Sequence, residues 1–234
     1  MKEKKKRTLS IKQKLIVTTM LLLLIPSLLI GFVSYSQAKQ KISNEILQSA
    51  HAGVDRMNDE IMNIIDPMRR DVAFFADRID GTLYQSGKQN LELKEKMTEY
   101  LDTHPQATNI YYATTSGEMT IYPEQSMPED YDPRERPWYQ AAEDAGGKVV
   151  ITDPYVDAAS GKMMVTLSQI GGNGRGVITI DVDVDRIADI AKKIKIGKEG
   201  YVTILDSKKK FVTHPTLKPG ETATGNWVGP LYAG

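Results

Sequence analysis

Cysteine is missing from this chain of 234 residues. Disulfide staples, thiolate metal sites and a cysteine nucleophile are therefore excluded, while the redox compartment stays open, because a lack of cysteine alone identifies none. Histidine is scarce as well, with His51, His104 and His214 the three present. They stand far apart and in no metal-ligand spacing, so neither a metal nor a cofactor is expected. The chain also lacks a nucleophile elbow, a P-loop and a dinucleotide fingerprint, and no enzyme is expected. Gly171-Gly172-Asn173-Gly174 has no strand-to-helix setting for a phosphate and reads as a hairpin loop. Nor is there an excess of one charge, since 30 Lys or Arg balance 30 Asp or Glu. A uniformly basic nucleic-acid binder does not look like this, and no nucleic-acid partner is expected.

The balance hides an asymmetry. Positions 1–14 hold seven Lys or Arg against one Glu, a net +6, so the remainder carries −6. Positions 15–38 are uncharged and dense in Leu, Ile and Val. These 24 residues are enough, as a helix, to cross a hydrocarbon core of about 30 Å. Pro26 lies in the middle, where lipid-embedded helices tolerate a kink. A cleaved secretory signal has an apolar core of only about 7–15 residues, and Ser34-Tyr35-Ser36 is a weak cleavage site, so a retained transmembrane helix is expected. Lys2, Lys4, Lys5, Lys6 and Arg7 place the N-terminus in the cytoplasm and the remainder outside. A second hydrophobic run of this kind is lacking.

Beyond it, Ile42, Ile46, Ala50, Val54, Met57, Ile61, Ile64, Met68, Val72, Phe75 and Ile79 recur at steps of three or four, the amphipathic helix period. Some forty residues in such a helix span about 60 Å. Pro67 is expected to bend it or restart it, and Asp80-Gly81 to end it. A helix this long can support a homodimer, although the pattern holds no strict heptad. A second helix is predicted at 91–103, closed by His104-Pro105. The period then changes. Strands at 110–115 and 119–122 flank Ser116-Gly117-Glu118 as a hairpin, and Pro137 opens a short helix that Gly146-Gly147 ends. Strands follow at 149–152, 163–169 and 176–184, then a helix at 185–195 with Asp185 near its start and Lys192, Lys193 and Lys195 at its end. A further hairpin spans 201–205 and 211–214. Asp181, Asp183 and Asp185 alternate like calcium ligands, but no loop glycine or distal glutamate follows, and a solvated strand edge is the expectation.

One of the two tryptophans falls in Tyr131-Asp132-Pro133-Arg134-Glu135-Arg136-Pro137-Trp138-Tyr139. Arg offers a planar fork that matches a carboxylate, Trp an indole N–H and Tyr a hydroxyl. Alone, the run supports two readings equally: a loop braced by Arg134 or Arg136 on Asp132 or Glu135 around a core Trp138, or a grip on a small anion or zwitterion. Its company favours the second. Asp181 lies near the end of a β-branched strand, where a carboxylate is costly without a partner. Tyr155 and Asp157 sit in a turn between strands, where binding groups often lie. A zwitterion needs donors at one end and acceptors at the other, and both are present.

These residues carry a family resemblance. The membrane-anchored long helix, the 131–139 run, Thr152-Asp153-Pro154-Tyr155-Val156-Asp157, Gly176-Val177-Ile178-Thr179-Ile180-Asp181 and Gly200-Tyr201-Val202-Thr203-Ile204-Leu205-Asp206 together resemble the double Cache sensor domain of bacterial methyl-accepting chemotaxis receptors. The likeness covers roughly 15–234, is strongest to Bacillus-type receptors, and extends to their amino-acid-binding subset. It implies an α/β (α+β) chain with a long N-terminal helix and PAS-like antiparallel-sheet Cache modules. The implied layout is a cytoplasmic basic segment at 1–14, a transmembrane helix at 15–38 and a stalk helix at 39–90. A membrane-distal, ligand-binding module follows at 91–196, and an incomplete membrane-proximal module at 197–234, with the chain stopping before a second membrane helix. By the resemblance, Arg136, with Trp138 and Tyr131, holds the α-carboxylate of a free amino acid. Asp181 with Tyr155 holds the α-ammonium, Asp157 assists at that end or reads the side chain, and Tyr139 walls the pocket. Arg134 braces the loop through Asp132. The implied role is extracellular sensing for chemotaxis. The alternatives are a Cache input to a histidine kinase or cyclic-dinucleotide enzyme, or a membrane-anchored binding protein without signalling.

Overall fold

The computed structural model describes residues 10–79, 91–171, 174–197 and 200–232, and the chain divides into two compact units, Met1–His51 and Ala52–Gly234. The basic residues before position 10, the Asp80-Gly81 turn and Gly172-Asn173 lie outside the described residues. Helix α1 (Ile11–Arg78) is continuous over 68 residues. In the first unit its apolar side chains from Leu15 to Tyr35 face outward, and this helix is long and apolar enough to cross a membrane.

In the second unit α1 gains a buried stripe of Met57, Ile65, Met68, Val72, Phe75 and Ala76. Of the two outcomes expected at Pro67, a bend or a restart, the continuous helix removes the restart. The proline ring removes one i→i−4 hydrogen bond, but Ile65 and Met68 on either side are buried in the main core, and that burial, worth about 1.5–3 kcal/mol per side chain, holds the segment helical. Helix α2 (Leu91–Thr103) adds Leu93, Met97 and Tyr100 to the same core. The Tyr100 hydroxyl donates to Asp71 Oδ2 at 3.1 Å, tying the two helices.

Both helices cover one face of an antiparallel sheet. Its strands are β1 (Asn109–Thr114), β2 (Met119–Tyr122), β3 (Val150–Ile151), β4 (Tyr155–Val156), β5 (Met163–Ile170) and β6 (Gly176–Asp183). The order is β2-β1-β6-β5-β3, with β4 also pairing β5. Side chains alternate faces along a strand. Ile110 and Tyr112 of β1, Val165 and Leu167 of β5, and Ile178, Ile180 and Val182 of β6 therefore join the helix-side core. Tyr111, Ala113 and Val177 point the other way, into a second cluster with Trp138, Tyr139 and Ala142. Those last three come from α3 (Pro137–Asp144), which follows a 3₁₀ turn at Pro133–Glu135.

The solvated edge expected for Asp181 and Asp183 is overturned. β6 lies in mid-sheet between β1 and β5, and both aspartates are buried. Their burial is possible because each has partners. Asp183 Oδ1 accepts from the Asp185 backbone N–H at 2.8 Å, capping α4 (Val184–Lys193), and its Oδ2 pairs with Lys162 Nζ at 3.0 Å. Asp181 is treated below. After α4, a hairpin of β7 (Ile204–Leu205) and β8 (Phe211–Thr213) and a short helix α5 (Val228–Leu231) complete the unit. A small core of Met57, Ile190, Ala191, Ile194 and Val202 joins α1 and α4 there.

Candidate ligand-binding site

The sheet face opposite α1 and α2 carries polar side chains in its middle. Register brings them together: Asp181 of β6 lies opposite Asn109 of β1 and opposite Thr166 of β5. The Thr166 hydroxyl donates to Asp181 Oδ1 at 2.6 Å, and Asn109 Nδ2 donates to Oδ2 at 3.1 Å. Tyr111, two residues along β1 on the same face, adds its hydroxyl to Oδ1 at 2.9 Å. Gln125 Nε2 in turn donates to Asn109 Oδ1 at 2.7 Å, which fixes the orientation of the Asn109 amide. Asp181 is 1% exposed, so these donors replace water.

Among the described residues, no cation is paired with Asp181. Burial raises the Asp181 pKa from 3.8 to about 6, the hydrogen bonds from Thr166, Asn109 and Tyr111 pull it back in part, and its charged neighbour is another carboxylate, Asp157. Desolvation thus outweighs hydrogen bonding. Burial, and then the Asp181 charge, raise the pKa of Tyr111 and of Tyr155, so both phenols remain neutral donors.

Tyr155 joins this carboxylate to the arginine. Its hydroxyl is 2.7 Å from Thr166 Oγ1 and 3.3 Å from Tyr111 Oη. With Thr166 donating to ionised Asp181, the Tyr155 O–H is the donor to Thr166, giving a chain of hydroxyls aimed at the carboxylate. The Tyr155 ring centroid lies 6.0 Å from Arg136 Cζ, and the Tyr131 ring lies 5.7 Å away. The guanidinium is therefore flanked by two aromatic rings at cation–π range. One of its N–H groups, on Nη2, donates to Val156 O at 3.0 Å. Among the described residues that is its one hydrogen-bond acceptor, which leaves the rest of the fork for an anion.

Local sequence explains the position of Arg136. It follows the 3₁₀ turn, precedes Pro137 and adopts φ −84°, ψ 147°. A residue before proline is held out of the helical region, so the side chain leaves the chain at a sharp corner. Arg134 is fixed differently. Its Nε donates to Asp132 Oδ1 at 2.9 Å and its Nη2 to Oδ2 at 2.6 Å, and it holds the Asp132 pKa down to about 2. This fork-to-fork pair closes the loop.

The structure thus brings Tyr131, Arg136, Tyr155 and Asp181 into one neighbourhood. Asp157 stands at its rim, where its Oδ2 accepts from the Ser160 N–H at 2.8 Å and the Ser160 hydroxyl at 2.6 Å, closing the β4–β5 turn. Trp138 is nearly fully buried, edge-on to Tyr111 at 4.9 Å, and lies close enough to Tyr131 to oppose the rise that burial causes in that phenol's pKa; it flanks Tyr131 from the core. Tyr139 is set apart. Burial raises its pKa, and its charged neighbours are Glu143, Arg134 and Asp132, on the loop-bracing side. Sequence reasoning missed Asn109, Tyr111 and Thr166. Their signal was alternation: Tyr111 stands between Ile110 and Tyr112, and Thr166 between Val165 and Leu167, all of which face the helices, and Asn109 lies two places before Tyr111 on the same face.

Comparison with known proteins follows the same lines. A family model described as a Cache domain (dCache_1) matches residues 34–228. The methyl-accepting chemotaxis protein McpB of Bacillus subtilis is 38% identical over 224 residues, which is 96% of this chain and 34% of McpB. TlpB of the same organism is 32% identical over 96% of this chain. The chain spans about a third of the length of these curated relatives, 34% in each case. Among solved structures, the ligand-binding domain of the Pseudomonas aeruginosa amino-acid chemoreceptor PctB, in complex with L-Gln, superimposes with a TM-score of 0.58. It is 25% identical and covers 71% of this chain and 67% of that domain. The ligand-binding domain of Pseudomonas fluorescens CtaA with L-serine reaches the same TM-score at 22% identity, over 69% of each chain, a likeness of fold.

Proposed function

The chain belongs to the Cache-domain family, and from that membership we propose that it is the ligand-sensing region of a chemotaxis receptor and binds a free amino acid. One observation carries the reading: a fully buried carboxylate, Asp181, hydrogen-bonded by neutral groups and, among the described residues, paired with no cation, is linked through the Thr166 and Tyr155 hydroxyls to a ring beside an arginine fork that one carbonyl engages among the described residues. An α-amino acid supplies both missing charges. Its ammonium goes to Asp181 beside the Tyr155 hydroxyl, and its carboxylate goes to Arg136 with Tyr131 alongside, as charge-assisted hydrogen bonds. Asp157 serves the ammonium end from the rim, and Trp138 acts by holding Tyr131.

The resemblance to PctB, a structure described with L-Gln, supports an amino acid over other zwitterions. The layout that goes with this reading is a membrane helix at 15–38 with the N-terminus cytoplasmic, a stalk helix that continues from it to Arg78, a sensing module at 91–196 and a second module from 197. The test is isothermal calorimetry of the full chain in detergent against each of the twenty standard L-amino acids. Saturable binding of at least one is expected; a folded sample that binds none of them refutes the proposal.

A further inference from the structure

The loop that supplies Tyr155 serves two contacts at once. At one end, the Val156 carbonyl accepts from Arg136 Nη2 at 3.0 Å. Three residues earlier, Asp153 Oδ2 accepts from the Ser207 hydroxyl at 2.7 Å and lies 3.9 Å from Lys208 Nζ. Ser207 and Lys208 form the turn of the β7–β8 hairpin. That turn is rigid: Asp206 Oδ1 accepts the backbone N–H groups of Lys208 and Lys210, each at 2.8 Å, and Lys209 is held at φ 63°, a conformation that is uncommon outside glycine. The loop is the weaker partner. β4 has two residues, pairs among the described residues with β5 alone and lies off the main path of the sheet. A cavity of about 550 Å³ separates Pro154, Tyr155 and Val156 from Asp206 and Phe211 of the hairpin. Short pairing next to empty space marks a segment that opens at low free-energy cost.

We propose that Asp153 couples the Arg136–Asp181 site to the β7–β8 hairpin, so that a ligand carboxylate drawing the Arg136 fork from Val156 O loosens the Asp153–Ser207 latch. This rests on the amino-acid reading of the site. The guanidinium reorients to present two parallel N–H groups to a carboxylate, and the Val156 carbonyl then loses its donor. β4 relaxes toward the cavity and carries Asp153 with it, since Pro154 and Tyr155 alone separate the two contacts. The hairpin turn, braced internally by Asp206, stays intact and is released as a unit. Coupling between two sites is reciprocal: if the ligand opposes the latch, the latch opposes the ligand, and removing it tightens binding.

The experiment is hydrogen-exchange mass spectrometry on the full chain in lipid nanodiscs, with and without an equimolar mixture of the twenty standard L-amino acids, together with titration of the same mixture for an apparent Kd. In the unaltered chain the mixture is expected to speed exchange in peptides covering 201–213. In Asp153→Ala, and separately in Ser207→Ala, that response is expected to vanish and the apparent Kd to fall about fivefold, the lower end of usual coupling. The two variants break the contact from opposite sides, so misfolding of one leaves the other informative. Binding of the mixture without a change in hairpin exchange overturns the inference. A hairpin response that survives both variants, or a Kd unchanged by them, overturns it too. Failure of any amino acid to bind strikes the site reading itself.

Discussion

Replacing Asp181 by Asn should change the pH dependence of stability more than stability at any one pH. The Asp181 carboxyl has a folded-state pKa of about 6 against an ordinary 3.8, because burial outweighs its three hydrogen bonds. Between those values the folded chain holds a proton that the unfolded chain has released, so stability is highest at or below pH 4 and falls as pH rises to 6. The shift of roughly two units, at about 1.4 kcal/mol each, makes the fall roughly 3 kcal/mol. Asparagine does not ionise and removes this fall. Its amide oxygen can stand in place of Oδ2 and accept from Asn109 Nδ2, whose orientation Gln125 fixes, so its N–H₂ faces the Thr166 and Tyr111 hydroxyls. Those hydroxyls must turn from donating to accepting, a cost of about 0.5–1.5 kcal/mol at every pH. The variant should therefore be at most slightly less stable than the unaltered chain at pH 4 and more stable at pH 7. The difference in melting temperature should swing by roughly 6–12 °C, at about 2–4 °C per kcal/mol for a unit of this size. Thermal melts of both proteins, without ligand, across pH 4 to 8 measure it. A difference that stays constant with pH would show that Asp181 is not the buried, uncompensated charge described here.

Three further outcomes follow from the same geometry. Amino-acid affinity in the unaltered chain should weaken about tenfold per pH unit below pH 6, because the ammonium needs an ionised Asp181; a flat Kd by calorimetry from pH 7 to 5 contradicts that role. Arg136→Ala should raise the Kd at least 100-fold, the usual cost of about 3 kcal/mol for removing one member of a buried charge pair, with little loss of melting temperature; Arg134→Ala should do the reverse, since its fork is closed on Asp132. Met68→Ala, at a fully buried position of α1, should cost about 2–5 kcal/mol in denaturant melts and leave the pH profile of Asp181 unchanged.

Within a few residues, the chain's own chemistry decided the outcome, and sequence reasoning reads it well. α2 occupies Leu91–Thr103 as its apolar spacing and His104-Pro105 require. α3 begins at Pro137 behind an Arg136 that proline holds extended. Arg134 closes on Asp132 two residues away. Such features depend on sterics and hydrogen bonds inside one turn. Pro67 shows the limit of this logic: a local rule against helix yielded to burial of Ile65 and Met68 on a distant sheet.

The site itself is mostly non-local. Its donors to Asp181 come from residues 72, 70 and 15 positions away, Asn109, Tyr111 and Thr166. The alternation of polar and apolar residues in β1, β5 and β6 marks two faces, but not which strand lies beside which. Strand order put β6 in the middle, and register put Asn109 and Thr166 opposite Asp181. Both follow from burying Ile178, Ile180 and Val182 against α1 and α2, because a slip of one residue would turn those side chains to the wrong face. The sequence alone therefore determined the elements, the membrane-length helix and the residue types able to hold an amino acid. The tertiary structure alone decided that Asp181 is buried with no cation paired to it among the described residues, that Thr166 and Tyr155 lie between it and Arg136, and that Tyr139 lies near Arg134 and Asp132.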